Sequence, residues 1–313
     1  MHIHNHKIKP EYKESIGKVL HYMNQNLTGD VSLETLAGIA NYSPFHFQKI
    51  FSEALLETPK QYVIRLRLER AAHFIKIFPQ LAINEIAVNC GFSSNSIFSR
   101  AFKNYYGVSA ETYSELSSEK LYEVNKKKNQ LAPWTETSSW IHPITDIQQK
   151  VETVQLSSQP IVGTIYSFNI ACIQTTLSHR ENISFAFQSL LQWAIPRGLM
   201  TGSMRYFGIW LDFPFITPPN KCRYLCGVEL SSEIKATQGI SIHTLAKGQY
   251  LNYEMTGNMD ETLGSLVALN HNYIGSMGYT ISEMICYEQF NECPAEKSYE
   301  NITRHLLIPV KVK

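Results

Sequence analysis

The 313-residue sequence has no apolar run long enough to cross a membrane, and its first residues, rich in His and Lys, lack the apolar stretch of a secretory signal. A membrane span and a cleaved leader are set aside, and a cytoplasmic protein is expected. Cysteine is sparse: six residues, at 90, 172, 222, 226, 286 and 293, most of them inside apolar stretches. Cys222 and Cys226 would share one face of a strand, but no second pair or histidine completes a zinc-site spacing. Buried structural thiols fit this pattern better than a metal or redox site. No nucleophile motif is present, so neither an enzyme nor a metal or cofactor is expected. Charge of one sign is lacking too, with a net of +1 over a chain long enough for two or three cores.

What is there begins with a repeat. Leu36-Ala37-x-x-x-Asn41-Tyr42-Ser43, then Phe47-Gln48-Lys49-x-Phe51 and Pro59-x-x-Tyr62, returns as Ile86-Ala87-x-x-x-Gly91-Phe92-Ser93, then Phe98-Ser99-Arg100-x-Phe102 and Ala110-x-x-Tyr113. The offset is 50 before the turn and 51 after it, so the second copy carries one extra residue in or just after the turn. Ser32 can cap a helix to about Ala40, with Leu33, Leu36, Ala37 and Ala40 on one face. Asn41 and Gly91 stand where the backbone needs a positive φ, and Ser43-Pro44 opens the next helix. Phe47, Ile50 and Phe51 then face inward, as do Phe98, Ala101 and Phe102 in the second copy.

Each copy is thus a helix, a tight turn and a second helix, the layout of a DNA-reading helix-turn-helix. The outward residues, Phe45, His46, Gln48 and Lys49 in one copy and Asn95, Ser96, Ser99 and Arg100 in the other, suit base edges and phosphates of a major groove. The alternative, two hairpins with merely solvated faces, is weakened by the doubling of apolar, turn and capping positions. From Pro59 a helix runs without Gly or Pro to Pro79. Nineteen residues at ~1.5 Å each span roughly 28 Å, against about 34 Å between successive major-groove faces. One chain can therefore hold both recognition helices against two adjacent grooves of double-stranded DNA, as a monomer or weak dimer. Residues 1–116 carry 12 basic and 10 acidic side chains and residues 151–313 carry 11 and 13, so DNA affinity must come from local arrangement.

The run Gly91-Phe92-Ser93-Ser94-Asn95-Ser96-Ile97-Phe98-Ser99-Arg100-Ala101-Phe102-Lys103, with Gly107-Val108-Ser109 and Tyr113, resembles the C-terminal signature of the AraC/XylS transcription regulators. The resemblance covers residues 10–116 and implies two helix-turn-helix subdomains joined by a long helix. By position it implies Phe45, Gln48 and Lys49 as first-groove contacts and Asn95, Ser96 and Arg100 as the second set, with RNA polymerase as a further partner. Asn41 replaces the usual Gly, and Lys49 stands where Arg is common. Lysine lacks the bidentate guanine contact, so first-site specificity is the weaker.

Residues 117–150 read as a linker, with Lys126-Lys127-Lys128, Pro133, Pro143 and two tryptophans, Trp134 and Trp140. His2, His4 and His6 read as a tail rather than a metal site. Beyond residue 150 a looser repeat appears. Strand pairs around Gly163 and Gly248 are each followed by an amphipathic helix, 182–197 and 259–277, and by two strands around a proline loop, 206–213 with 223–230 and 283–290 with 304–312. Pro214 and Pro294 lie 80 apart. The expected fold is an all-α tandem helix-turn-helix domain (10–116), then an α+β domain of duplicated β-α-β-β units (151–313), with helices on one sheet face and a groove on the other.

This second part is similar to the GyrI-like effector-binding domains found behind AraC-type modules in Rob-like regulators, most clearly at Tyr287-Glu288-Gln289-Phe290, Pro294 and Thr303-Arg304-His305-Leu306-Leu307-Ile308-Pro309-Val310. The resemblance implies a small-molecule effector, cationic and lipophilic where such domains bind cations, with Glu288 in an aromatic pocket. Phe290 replaces the Tyr of the usual Glu-x-Tyr. A carboxylate beside Ile285, Cys286, Tyr287 and Phe290 is costly unless paired. A cationic ligand would pair it; the alternatives are solvent, Arg223 or Arg304. Tyr166, Phe168, Trp210, Tyr224 and Tyr253 are candidate walls, and Trp193 is a core residue. The leading reading is a sequence-specific, effector-responsive activator. A regulator whose back domain hydrolyses its ligand, and a ligand-independent one whose back domain contacts polymerase, remain open.

Overall fold

The computed structural model describes residues 10–77, 81–116, 120, 124, 154, 156–199, 204–213, 216–217, 221–231, 234, 239–283 and 285–313. His2, His4, His6, Pro214 and the expected linker apart from Lys120 and Val124 lie outside the described residues. The chain divides into two compact units, residues 2–130 and 131–313. No described helix is long and apolar enough to cross a membrane.

The front unit contains α1 (Pro10–Gln25), α2 (Leu33–Ala40), α3 (Pro44–Leu55), α4 (Pro59–Ile77), α5 (Ile83–Asn89), α6 (Asn95–Tyr106) and α7 (Ala110–Glu115). Ser32 caps α2 by accepting from the Thr35 N–H at 3.3 Å, and the Asp30 carboxylate accepts from the Ser32 N–H at 2.9 Å and the Thr35 hydroxyl at 2.6 Å. Those bonds favour the ionised acid and hold the Asp30 carboxyl below the usual carboxylate range. Asn41 ends α2 at φ 56°, and Gly91 follows α5 at φ 85°. The following N–H closes each turn, Tyr42 to Ala37 O and Phe92 to Ala87 O, both at 3.0 Å. Gly91 meets a second demand: a Cβ there would lie 2.9 Å from Arg67 Nε and 3.0 Å from Thr28 Cα. The extra residue of the second copy precedes the cap, because Ser43 caps α3 whereas Ser94, not Ser93, caps α6.

Three rings repeat in the two cores, and the second adds Phe92 and Tyr106. Phe47 meets Phe51 at 5.4 Å and Phe51 meets Tyr62 edge-on at 5.6 Å; Phe98 meets Phe102 at 5.3 Å and Phe102 meets Tyr113 edge-on at 5.3 Å. Each such pair adds about 0.5–1.5 kcal/mol beyond burial. Tyr62 lies on α4 and Tyr113 on α7, so the start of α4 closes the first copy as α7 closes the second. The rest of α4 packs against α5 and α6, which makes one helix a structural part of both copies.

The back unit is one antiparallel sheet of β1 (Ile161–Ile165), β2 (Phe168–Thr176), β3 (Tyr206–Trp210), β4 (Arg223–Glu229), β5 (Ser241–Leu245), β6 (Gly248–Met255), β7 (Tyr279–Ile281), β8 (Cys286–Phe290) and β9 (Arg304–Val312). Its order is β1-β6-β9-β8-β3-β4-β2-β5, with β7 paired to β9. Helices α8 (Glu181–Ala194) and α9 (Met259–Ala268, continued by a π-helical turn to Ile274) share one core with one sheet face.

The duplication holds at a constant offset of 80 residues: Val162↔Leu251 mirrors Ala171↔Ile242, Cys226↔Ile173 mirrors Leu306↔Tyr253, and Gly208↔Glu288 pairs with itself. Two expectations are corrected. Gly163 lies mid-strand and corresponds to His243, not to Gly248. Nor do β1 and β2, or β5 and β6, pair with each other: each half lends its first strand to the other half's sheet. The second sheet face is also not an open groove at its centre. Ile170, Cys172, Phe207 and Ile209 there have no exposed surface, and the sheet curls until His243 Nε2 of β5 is 3.1 Å from the Tyr287 hydroxyl of β8.

The helix end at Leu56 generates a test. Leu56 caps α3 at φ 59° with an exposed side chain, where α6 has Gly107 at φ 78°. The left-handed conformation costs a non-glycine residue about 1–2 kcal/mol, and glycine's unfolded-state entropy returns about half of that. Leu56→Gly should therefore raise the urea-unfolding free energy of the front unit by about 0.5–1 kcal/mol, and Gly107→Ala should lower it by a similar amount.

Candidate functional site

In the front unit, the cap and aromatic core fix the recognition helices so that one face looks outward. Phe45, at 84% exposure, and Gln48 and Lys49 are exposed on α3, as are Asn95, Ser96 and Arg100 on α6. His46 and Ser99 are half-buried. The His46 ring lies 5.0 Å from Tyr42 and 6.0 Å from Tyr12, so it steadies the N-terminus of α3 against α1 as well as facing outward. From cap to cap, Phe45 corresponds to Ser96, Gln48 to Ser99 and Lys49 to Arg100. Ile97, the counterpart of His46, is 54% exposed and was not among the expected contacts. Its signal was an apolar side chain three residues before Arg100, on the outward face.

The spacing between these faces rests on a buried charge network in α4. Arg65 reaches back to Glu57, beyond the end of α3, at 2.7 Å and along α4 to Glu69 at 3.3 Å. Glu69 in turn accepts from the Tyr105 hydroxyl of α6 at 3.0 Å. Burial first, and then the Glu69 charge, drive the Tyr105 pKa up, so the phenol stays a donor. The guanidinium also lies 4.9 Å from the Tyr62 ring centre. Both copies are thereby tied to one charge on the rod.

In the back unit, Glu288 is fully buried on the helix-covered face, at the point where the two halves meet. Its Oε2 accepts from Trp210 Nε1 at 2.9 Å and from the Tyr224 hydroxyl at 2.5 Å. Its Oε1 accepts from the Tyr299 hydroxyl at 2.6 Å and lies 2.9 Å from Arg304 Nε, a close ion pair off the line of a hydrogen bond. Burial and then the Glu288 charge push the Tyr224 phenol up; burial also dominates for Tyr299, where Arg304 works against it. A carboxylate offers about four acceptor sites, and here four groups surround it.

The glycine opposite makes this possible. A Cβ on Gly208 would collide with the Tyr224 hydroxyl and lie 3.1 Å from Glu288 Oε2. The expected wall divides. Trp210 and Tyr224 touch Glu288, whereas Tyr253 shares the core but takes Ser157 as its partner, at 3.0 Å. Tyr166 sits exposed in the β1–β2 turn under Lys247, and Phe168 packs on the opposite sheet face against Phe207, so neither walls Glu288. Arg223 is committed to Asp212 at 2.6 Å. Tyr299, Arg304 and Thr262 complete the cluster. Arg304 was legible as a charge in the inward register of β9; Tyr299 sits on a short 3-10 turn that leaves no periodicity.

A helix-turn-helix domain family model matches residues 36–115, and the model of the GyrI-like small molecule binding domain matches residues 158–311. The HTH-type transcriptional activator AarP of Providencia stuartii is 30% identical over 98 residues, covering 31% of this chain and 72% of that protein. The chain belongs to the AraC-type helix-turn-helix regulators. The probable transcriptional regulator LumQ of Photobacterium leiognathi is 37% identical over 92 residues, 29% of this AraC-type chain and 37% of LumQ, so this chain spans little more than a third of that relative. Among solved structures, the DNA-binding domain of AdpA in complex with a target DNA is similar at 25% identity and a TM-score of 0.31, covering 32% of this chain and 90% of that one.

Gly208→Ala should destabilise the back unit by about 2–4 kcal/mol, as overpacking and loss of the carboxylate network combine. Gly163→Ala, with open space around its Cβ, should change stability by less than about 0.5 kcal/mol. Calorimetric unfolding of the two variants checks the contrast.

Proposed function

We propose that this AraC-type protein is a sequence-specific transcription activator that reads two adjacent major grooves with α3 and α6, acts in the cytoplasm as a monomer or weak dimer, and is biased by a small molecule bound to its GyrI-like domain. The observation that carries the DNA reading is the doubled, outward polar face on two helices whose cores share α4. Gln48, Lys49, Asn95, Ser96 and Arg100 supply base-edge and phosphate contacts, and Phe45 and Ile97 offer apolar contact to thymine methyls. Polymerase contact and activation follow the family and the activator role that AarP is named for. Effector and DNA then change each other's affinity by one factor. The hydrolase alternative is disfavoured by the surroundings of Glu288: three donors hydrogen-bond its oxygens, the Arg304 guanidinium pairs its charge, and it has no exposed surface for a substrate to reach.

An operator selected from a random duplex pool provides the assay. Arg100→Ala should weaken specific binding by about 10–100-fold and relax preference at one base pair, whereas Lys49→Arg should sharpen the first half-site. Unchanged operator affinity and sequence preference in Arg100→Ala would remove that side chain from the readout.

A further inference from the structure

Glu288 and Arg304 are the acid and base with no exposed surface among the described residues. The carboxylate accepts hydrogen bonds from Trp210, Tyr224 and Tyr299, and a buried carboxylate beside the face of the Tyr299 ring is an arrangement that attracts an organic cation. Here the cation is already present. The Arg304 guanidinium carbon lies 4.1 Å from the Tyr299 ring centre, and its Nε is 2.9 Å from Glu288.

Arg304 is also anchored so that it cannot swing aside. Nη1 donates to the Tyr299 and Ile302 carbonyls at 3.2 and 3.0 Å. Nη2 donates to the Gly257 carbonyl at 2.8 Å and to the Thr262 hydroxyl. At the 80-residue offset, Glu288 corresponds to Gly208 and Arg304 to Tyr224, so the second half holds both charges of the pair and the first half neither. A second cation at Glu288 would have to share one negative charge with Arg304 or leave a guanidinium buried and unpaired, and both are strongly unfavourable.

We infer that Arg304 occupies, as part of the fold, the place an organic cation would take beside Glu288, and that it is the specificity residue closing this cluster to organic cations. The exclusion rests on the reading of the back domain as a small-molecule binder; the occupancy does not. The full-length protein with Arg304→Ala has a hole lined by Glu288, Tyr299 and the Gly257, Tyr299 and Ile302 carbonyls. Methylguanidinium should refill it, raising the Tm of that variant saturably by roughly 5–10 °C at a hundredfold excess over its Kd. Millimolar methylguanidinium should leave the wild type and the Glu288→Gln/Arg304→Ala double variant unmoved.

Tetraphenylphosphonium, a lipophilic cation, should show no saturable binding to the wild type that Glu288→Gln removes. Arg304→Gln serves for the rescue if the alanine variant does not fold, and the wild-type measurement decides the exclusion in either case. Rescue that fails, or that is equal in the double variant, overturns the occupancy. Tetraphenylphosphonium binding by the wild type that falls tenfold or more in Glu288→Gln overturns the exclusion, while leaving small-molecule binding itself in place.

Discussion

Burying a charge in a protein requires a partner of the opposite sign and donors for every remaining lone pair. Both units build the seam between their repeats around that constraint. In the front unit Arg65, Glu57, Glu69 and Tyr105 join the two helix-turn-helix copies through α4; in the back unit Arg304, Glu288, Tyr224 and Tyr299 join the two halves of the sheet. An apolar seam would hold the repeats together at many relative settings. A guanidinium and a carboxylate with tyrosine hydroxyls fix one setting, because any slip leaves a charge unpaired in a dry interior. That geometry matters most in the front unit, where it sets how the two exposed helix faces stand to each other.

Duplication also explains why the copies are unequal. The second helix-turn-helix has glycine at both left-handed positions, Gly91 and Gly107, while the first has Asn41 and Leu56. The back unit diverges at its pseudo-two-fold centre, where Gly208 faces Glu288. The glycine is as necessary as the acid, since it yields the space into which Tyr224 projects. Symmetry thus sets the backbone, and departures from it set the chemistry.

Much of this was legible in the residues themselves. Capping serines, the turn residues and the phenylalanine spacing located α2, α3 and α6, because helix starts and stops are local events; α5, whose N-cap Ala82 makes no side-chain cap bond, was legible through the repeat and Gly91. The nineteen-residue rod was legible for the same reason. The exchange of β1 and β5 between halves was not, because pairing partners 69 to 91 residues apart leave no local mark. The environment of Glu288 was half visible. Its need for a partner followed from its apolar neighbours, and the choice of Arg304 over Arg223 depended on which charge β9 turns inward. Tyr166 and Phe168 were misplaced because their aromatic character says nothing about sheet face, and at Phe168 the strand parity shared with Ile170 and Cys172 decides it.

The strand exchange has a consequence for the order in which the chain acquires its abilities. The contacts of α2, α3, α5 and α6 are short in sequence, and such units fold within milliseconds. β1, in contrast, finds its neighbour β6 only after residue 255 has been made, and β6 is completed by β9, which ends at Val312. During synthesis at about 5–20 residues per second, the residues of the helix-turn-helix unit are therefore complete for many seconds before the C-terminal sheet can close. The nascent chain passes through a stage in which its helical repeats have all their partners and its sheet still lacks an edge.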